Sequence, residues 1–199
     1  MKEIFARAKQ IILKPKETWQ TIKGEPGTVQ ELFINYAAPL ALVPALATLI
    51  SLSIVGVKLP GGQLARAPFM EALTGGVLVY VFNLLGLLAA AWAVDFLSPY
   101  FESKTDFFLA AKLVVYSMTP VWLLGIFSAW PKLGLFQIFG LYSVYLLYAG
   151  LPVILDTQPE RAAWYTALIV IAAIFISLVL SVVVGGAVYG PMLMRMMAV

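Results

Sequence analysis

The chain has 199 residues, 62% of them hydrophobic and 12% charged, with a formal net charge of +3 and a mean hydropathy of +0.93. That is about half the charge of an ordinary soluble domain, too little to cover a fold in water. With no cysteine and no histidine, the chain lacks thiol nucleophiles, disulfides, Cys/His zinc sites and any imidazole acid or base, which removes most hydrolase and oxidoreductase mechanisms.

No serine elbow, phosphate-binding loop or dinucleotide glycine motif is present, and the nearest glycine cluster, Gly185, Gly186 and Gly190, falls inside an apolar run. The chain therefore reads as a non-enzyme with no catalytic residue, no metal, no cofactor and no nucleic-acid partner.

Residues 1–27 precede the apolar runs. Ile4, Phe5, Ala8, Ile11 and Ile12 recur at helical spacing on one face, with Lys2, Arg7, Lys9 and Lys14 on the other, the pattern of an amphipathic helix lying on anionic lipid. Its charges interrupt it too early for a cleavable signal. Pro15 ends it, a short turn over 16–22 sets Trp19 beside Ile22, and Gly24, Pro26 and Gly27 break the chain.

Residues 28–199 carry five apolar segments at about 32–57, 72–97, 107–130, 133–155 and 162–189. Each is close to or beyond the roughly 20 residues a helix needs to cross hydrocarbon, and their continuous character excludes alternating barrel strands. The expectation is an all-α integral membrane protein: a five-helix bundle with an N-terminal interfacial helix. Only Trp130, Pro131 and Lys132 join the third and fourth segments, which leaves a re-entrant pair open there. Thr28 with Glu31, Ser103 with Asp106 and Thr157 with Glu160 have the spacing of capping boxes at the starts of spans one, three and five.

Six positive charges precede the first span, and alternating the sides puts eight on the N-terminal side against four opposite, with Lys112 set aside inside a helix. The positive-inside rule then places the N-terminus in the cytoplasm and the C-terminus outside. Trp164 and Tyr165, Trp130, and Tyr100 with Phe101 fall where interfaces should be.

Few polar groups lie within the spans. Asp95, near the end of span two, and Lys112, near the start of span three, fall at one depth; they form either an ion pair fixing the hairpin or a gate or proton site. Asn83 in span two, Tyr116 in span three, and Tyr142, Tyr145 and Tyr148 in span four are candidates for a polar lining, against ordinary helix packing. Ala173, Ser177, Ser181 and Gly185 set a small residue at every fourth position of span five, a face for packing in the bundle or for self-association into a homo-oligomer. Pro44 and Pro120 predict kinks.

Lys14 to Trp19, then Phe107 to Pro120 (FFLAAKLVVYSMTP) and Leu141 to Pro152 (LYSVYLLYAGLP), resemble the prokaryotic branch of the Yip membrane family, named for eukaryotic Ypt/Rab-interacting proteins. The similarity runs from about residue 10 to about residue 180. It implies a five-helix domain in a prokaryotic cytoplasmic membrane with the N-terminal segment inside. The aspartate-leucine-tyrosine-glycine-proline motif of eukaryotic members is absent, Asp95 to Pro99 being its nearest echo, so a role with Rab GTPases does not carry over. The expected function is that of a membrane organiser or adaptor, with an unidentified membrane-protein partner. A small transporter, channel or lipid-handling protein using the polar residues is the alternative.

Overall fold

The computed structural model describes residues 2–58, 64–104 and 106–197, with backbone alone for 57–58, 131, 184 and 187–197. Two short helices open the chain, α1 (Lys2–Leu13) and α2 (Pro15–Gly24). Pro15 supplies the first position of α2, where its missing N–H costs nothing, and so turns one amphipathic sequence into a helical hairpin. Ala8 and Ile11 of α1 and Trp19 and Ile22 of α2 are buried, whereas Phe5 and Leu13 stay exposed. The apolar face of α1 is thus divided between protein and surroundings.

Five helices long and apolar enough to cross a bilayer follow: Val29–Val55, Phe69–Phe101, Phe107–Ala129, Lys132–Ile154 and Pro159–Val183, the last continuing as helix to Met197. Even the shortest, at 23 residues, reaches about 35 Å at 1.5 Å per residue. Span three is the most buried and span five the least, so span three forms the centre. The all-α expectation holds, apart from a two-residue antiparallel ladder, β1 (Val57–Lys58) with β2 (Leu64–Ala65), after span one.

Prolines shape the spans. Span one contains π-helical turns at Phe33–Ala37 and Ser51–Val55, the first ending two residues before Pro39, and runs on through Pro44. Span three breaks at Met118, between helical pieces Phe107–Ser117 and Thr119–Leu124. Pro120 has no N–H for the Tyr116 carbonyl four residues earlier; the Thr119 hydroxyl donates to that carbonyl instead, at 2.8 Å. Spans three and four meet in tight 3-10 turns, Gly125–Ala129 and Pro131–Leu141. The 3-10 rise of about 2 Å per residue lengthens the far end of span four. Gly125 lies against span one, where an added Cβ would come within 2.9 Å of Pro44 Cβ.

The capping expectations divide. Thr28 and Glu31 form the full reciprocal box. At span three the cap is Asp106, whose carboxylate accepts from the Leu109 N–H at 2.8 Å. Ser103 and Thr157 cap neither span; their hydroxyls pair with one another at 2.8 Å and join the loops after spans two and four. The Lys104 N–H donates to the Leu155 carbonyl at 2.9 Å, and Arg161 pairs with Glu102 at 2.9 Å, across the same junction. Lys23 of α2 reaches Asp156 there too. One end of the bundle is accordingly cross-tied by polar contacts, and it is the end that receives the N-terminal hairpin.

Candidate functional site at the N-terminal end of the bundle

Lys112 organises this end. Fixed by the Asp106 cap, its helix carries it about 7.5 Å into span three, where its side chain is 4% exposed. An ammonium there needs partners for its three N–H groups. The Nζ donates to the Ile22 carbonyl at 2.9 Å and to the Glu25 carbonyl, and lies 4.5 Å from the centre of the Phe108 ring. These carbonyls end α2 and begin the linker to span one, so Lys112 caps the hairpin from inside the bundle.

The expected Asp95–Lys112 pair is therefore not formed. Asp95 is half-buried, makes no ion pair among the described residues, and its carbonyl takes the Ser98 hydroxyl at 2.8 Å. Although the beginning of span three packs on spans two and four, the face that carries Lys112 is turned to the linker and span one, and backbone carbonyls of 22–25 occupy the place a carboxylate was expected to fill. Beside Asp95, the buried Tyr165 hydroxyl donates to the Val94 carbonyl and joins spans two and five.

Trp19 is the second anchor. Its ring is fully buried, meets Tyr116 edge-on at 6.3 Å between centroids, and lies against Gly150 of span four. A Cβ at Gly150 would stand 2.5 Å from Leu113 Cδ1 and 2.8 Å from the Trp19 ring, so only glycine leaves room for the indole. Farther along span four, Tyr142 donates its hydroxyl to the Ile12 carbonyl of α1 at 2.9 Å. Because Tyr142 lies about 18 Å along the helix from Ile154, the hairpin packs down the flank of span four and does more than rest on the ends of the helices.

Between α1, the linker and spans one and three lies a cavity of about 410 Å³. Arg7, expected to face outward toward lipid with Lys2, Lys9 and Lys14, turns into this cavity and pairs with Glu25, while the three lysines are exposed. Glu3 and Glu31 border the cavity, and Lys112, Tyr36 and Tyr116 line it more deeply. Tyr36 and Tyr116 pack at a tilt, with ring centres 4.6 Å apart and planes 49° from parallel. The Tyr36 hydroxyl lies 2.9 Å from the Thr119 oxygen; because the Thr119 proton goes to the Tyr116 carbonyl, Tyr36 is the donor in this relay.

The other expected polar residues do not converge here. Tyr145 and Tyr148 are 43% exposed on span four, away from Tyr116. Asn83 donates to its own helix at the Val79 carbonyl, 2.9 Å away, and borders a second cavity of about 420 Å³ between spans two, three and five. Ala173, Ser177, Ser181 and Gly185 all line that same cavity. Glu25, Tyr36 and Gly150 escaped sequence reasoning, and Glu31 was read only as a helix cap; the one available signal was the charge at Lys112, which requires a partner but does not identify it.

A Yip1-domain family model matches residues 9–181. The chain is 22% identical over 157 residues to the inner membrane protein YohC of Escherichia coli K12, across 77% of this chain and 80% of that protein. YohC of Escherichia coli O6:H1 matches to the same extent. No solved structure matches.

Proposed function

The chain belongs to the Yip1-domain family of membrane proteins, and from that premise we propose that it is a non-enzymatic membrane organiser or adaptor acting through its N-terminal hairpin. The hairpin lies in the cytoplasmic leaflet, with the C-terminus outside, and presents Lys2, Lys9, Lys14 and Lys16 to anionic lipid and to a membrane-protein partner.

The observation that carries this reading is the division of labour in the hairpin. Its inner face is anchored by Trp19, Ile22 and Arg7, while those four lysines remain exposed. Basic residues near an anionic surface contribute about 1 kcal/mol each. Anchoring holds the lysines in a fixed array, so less ordering entropy is lost on contact.

The test is purification of full-length protein from native membranes, beside a variant with Lys2, Lys9, Lys14 and Lys16 all replaced by glutamine. The unmodified protein is expected to retain anionic lipid and a stoichiometric partner, and the variant to lose both at unchanged thermal stability. Equal retention by both proteins would overturn the proposal.

A further inference from the structure

The cavity beneath α1 separates its charges by depth. On its inner wall, Lys112 has no carboxylate within ion-pair distance among the described residues, and its two assigned N–H groups go to carbonyls. Arg7 meets Glu25 through one terminal nitrogen and keeps further donors. On the outer wall, Glu3 makes no ion pair among the described residues, and Glu31 engages Thr28 through Oε2, so Oε1 is not used in the cap. The Glu25 carboxylate offsets one of the two deep cations, which leaves a net positive charge deep in the cavity and the carboxylates of Glu3 and Glu31 toward the outside.

A simple anion entering the cavity would meet Glu3 and Glu31, and a simple cation would meet Lys112 and Arg7. A zwitterion with its anionic group inward satisfies both sets. A phospholipid bearing a primary amine has this polarity as it stands in a leaflet, with phosphate at the glycerol level and ammonium farther out. Ile34, 59% exposed, and exposed Asn35 lie on the adjacent turn of span one, where acyl chains would pass. A volume of about 410 Å³ falls in the range of small-ligand sites, about 300–1,000 Å³.

We propose that this cavity binds the headgroup of an ethanolamine phospholipid, with phosphate on Lys112 and Arg7 and ammonium on Glu31 and Glu3. Fork-like donation from Arg7 suits phosphate oxygens. A primary ammonium donates to the carboxylates, which a trimethylated choline cannot do. Binding does not depend on the adaptor role, since the four exposed lysines take no part in it.

Full-length protein is placed in phosphatidylcholine nanodiscs, and retention of added phosphatidylethanolamine or phosphatidylglycerol is read by native mass spectrometry. Phosphatidylethanolamine is expected to be retained above both other lipids. Replacing Glu3 and Glu31 together by glutamine should reduce that preference roughly five-fold, and Arg7→Gln should reduce retention of the lipid itself. Because glutamine also serves in a capping box, thermal stability of the double variant should be unchanged, separating lost recognition from lost folding. Equal retention of phosphatidylcholine or phosphatidylglycerol, or an unaltered preference in the double variant, would overturn the proposal. Soluble phosphoethanolamine should compete only in large excess; competition at equal concentration would assign the cavity to a soluble solute and overturn the lipid assignment.

Discussion

Lys112 and Ile22, ninety positions apart, are joined by a 2.9 Å hydrogen bond from the buried ammonium of span three to the last turn of α2. Through this bond and its companion to the Glu25 carbonyl, a membrane helix holds the N-terminal hairpin against the bundle. Replacing Lys112 by methionine keeps the apolar stem and removes the donor. The expected cost is about 1–3 kcal/mol, the range for leaving buried groups unpaired. Thermal unfolding in nanodiscs reads that cost, and limited proteolysis around residues 20–26 reads the loosened linker.

Gly150 and Trp19 fit one another. Gly150→Ala would place a Cβ 2.8 Å from the indole and 2.5 Å from Leu113, an overpacking worth about 1–3 kcal/mol. Trp19→Ala opens a cavity at about 3–5 kcal/mol. Because the two side chains share one space, the double variant should be more stable than the sum of the single changes implies. Simple additivity of the melting shifts would contradict the contact.

Thr119→Val tests the relay beneath the cavity. It leaves the buried Tyr36 hydroxyl without its acceptor and the Tyr116 carbonyl without the hydroxyl that offsets Pro120. The expected loss is about 1–3 kcal/mol, and Thr119→Ser should restore most of it. Equal melting of the valine and serine variants would show that the hydroxyl is not used.

Ser181→Leu distinguishes packing from self-association along span five. Ser181 borders the cavity between spans two, three and five, so a larger side chain should be accommodated there with the oligomeric state unchanged. Native mass spectrometry reads this; loss of an oligomer on substitution would place the small-residue face at a contact between copies.

The spans were legible because hydrocarbon imposes length and continuity that no other environment requires of a sequence. The hairpin was half legible: spacing revealed an amphipathic helix and Pro15 a break, but only packing reveals that Trp19 and Ile22 enter the bundle. Asp95 and Lys112 looked like partners because they are charges at one depth, yet the carbonyls of Ile22 and Glu25 solvate Lys112, and every residue type carries a carbonyl. Gly150 carried no signal of its own for the same reason, since its meaning lies in Trp19, far away in the chain. Thr28 and Glu31 formed the expected box because both partners are local; Ser103 and Thr157, with similar spacing signals, found one another across two loops.

The docked hairpin is the claim on which the rest depends, and the absence of native cysteine makes it directly measurable. Lys23 and Asp156 form an exposed ion pair between α2 and the loop after span four. Cysteines at both positions, treated in native membranes with a short bifunctional maleimide, should join within one chain in high yield, with neither single-cysteine protein joining and Lys112→Met reducing the yield. Absence of the intramolecular product, or a yield indifferent to Lys112→Met, would contradict a hairpin locked to the bundle by that lysine.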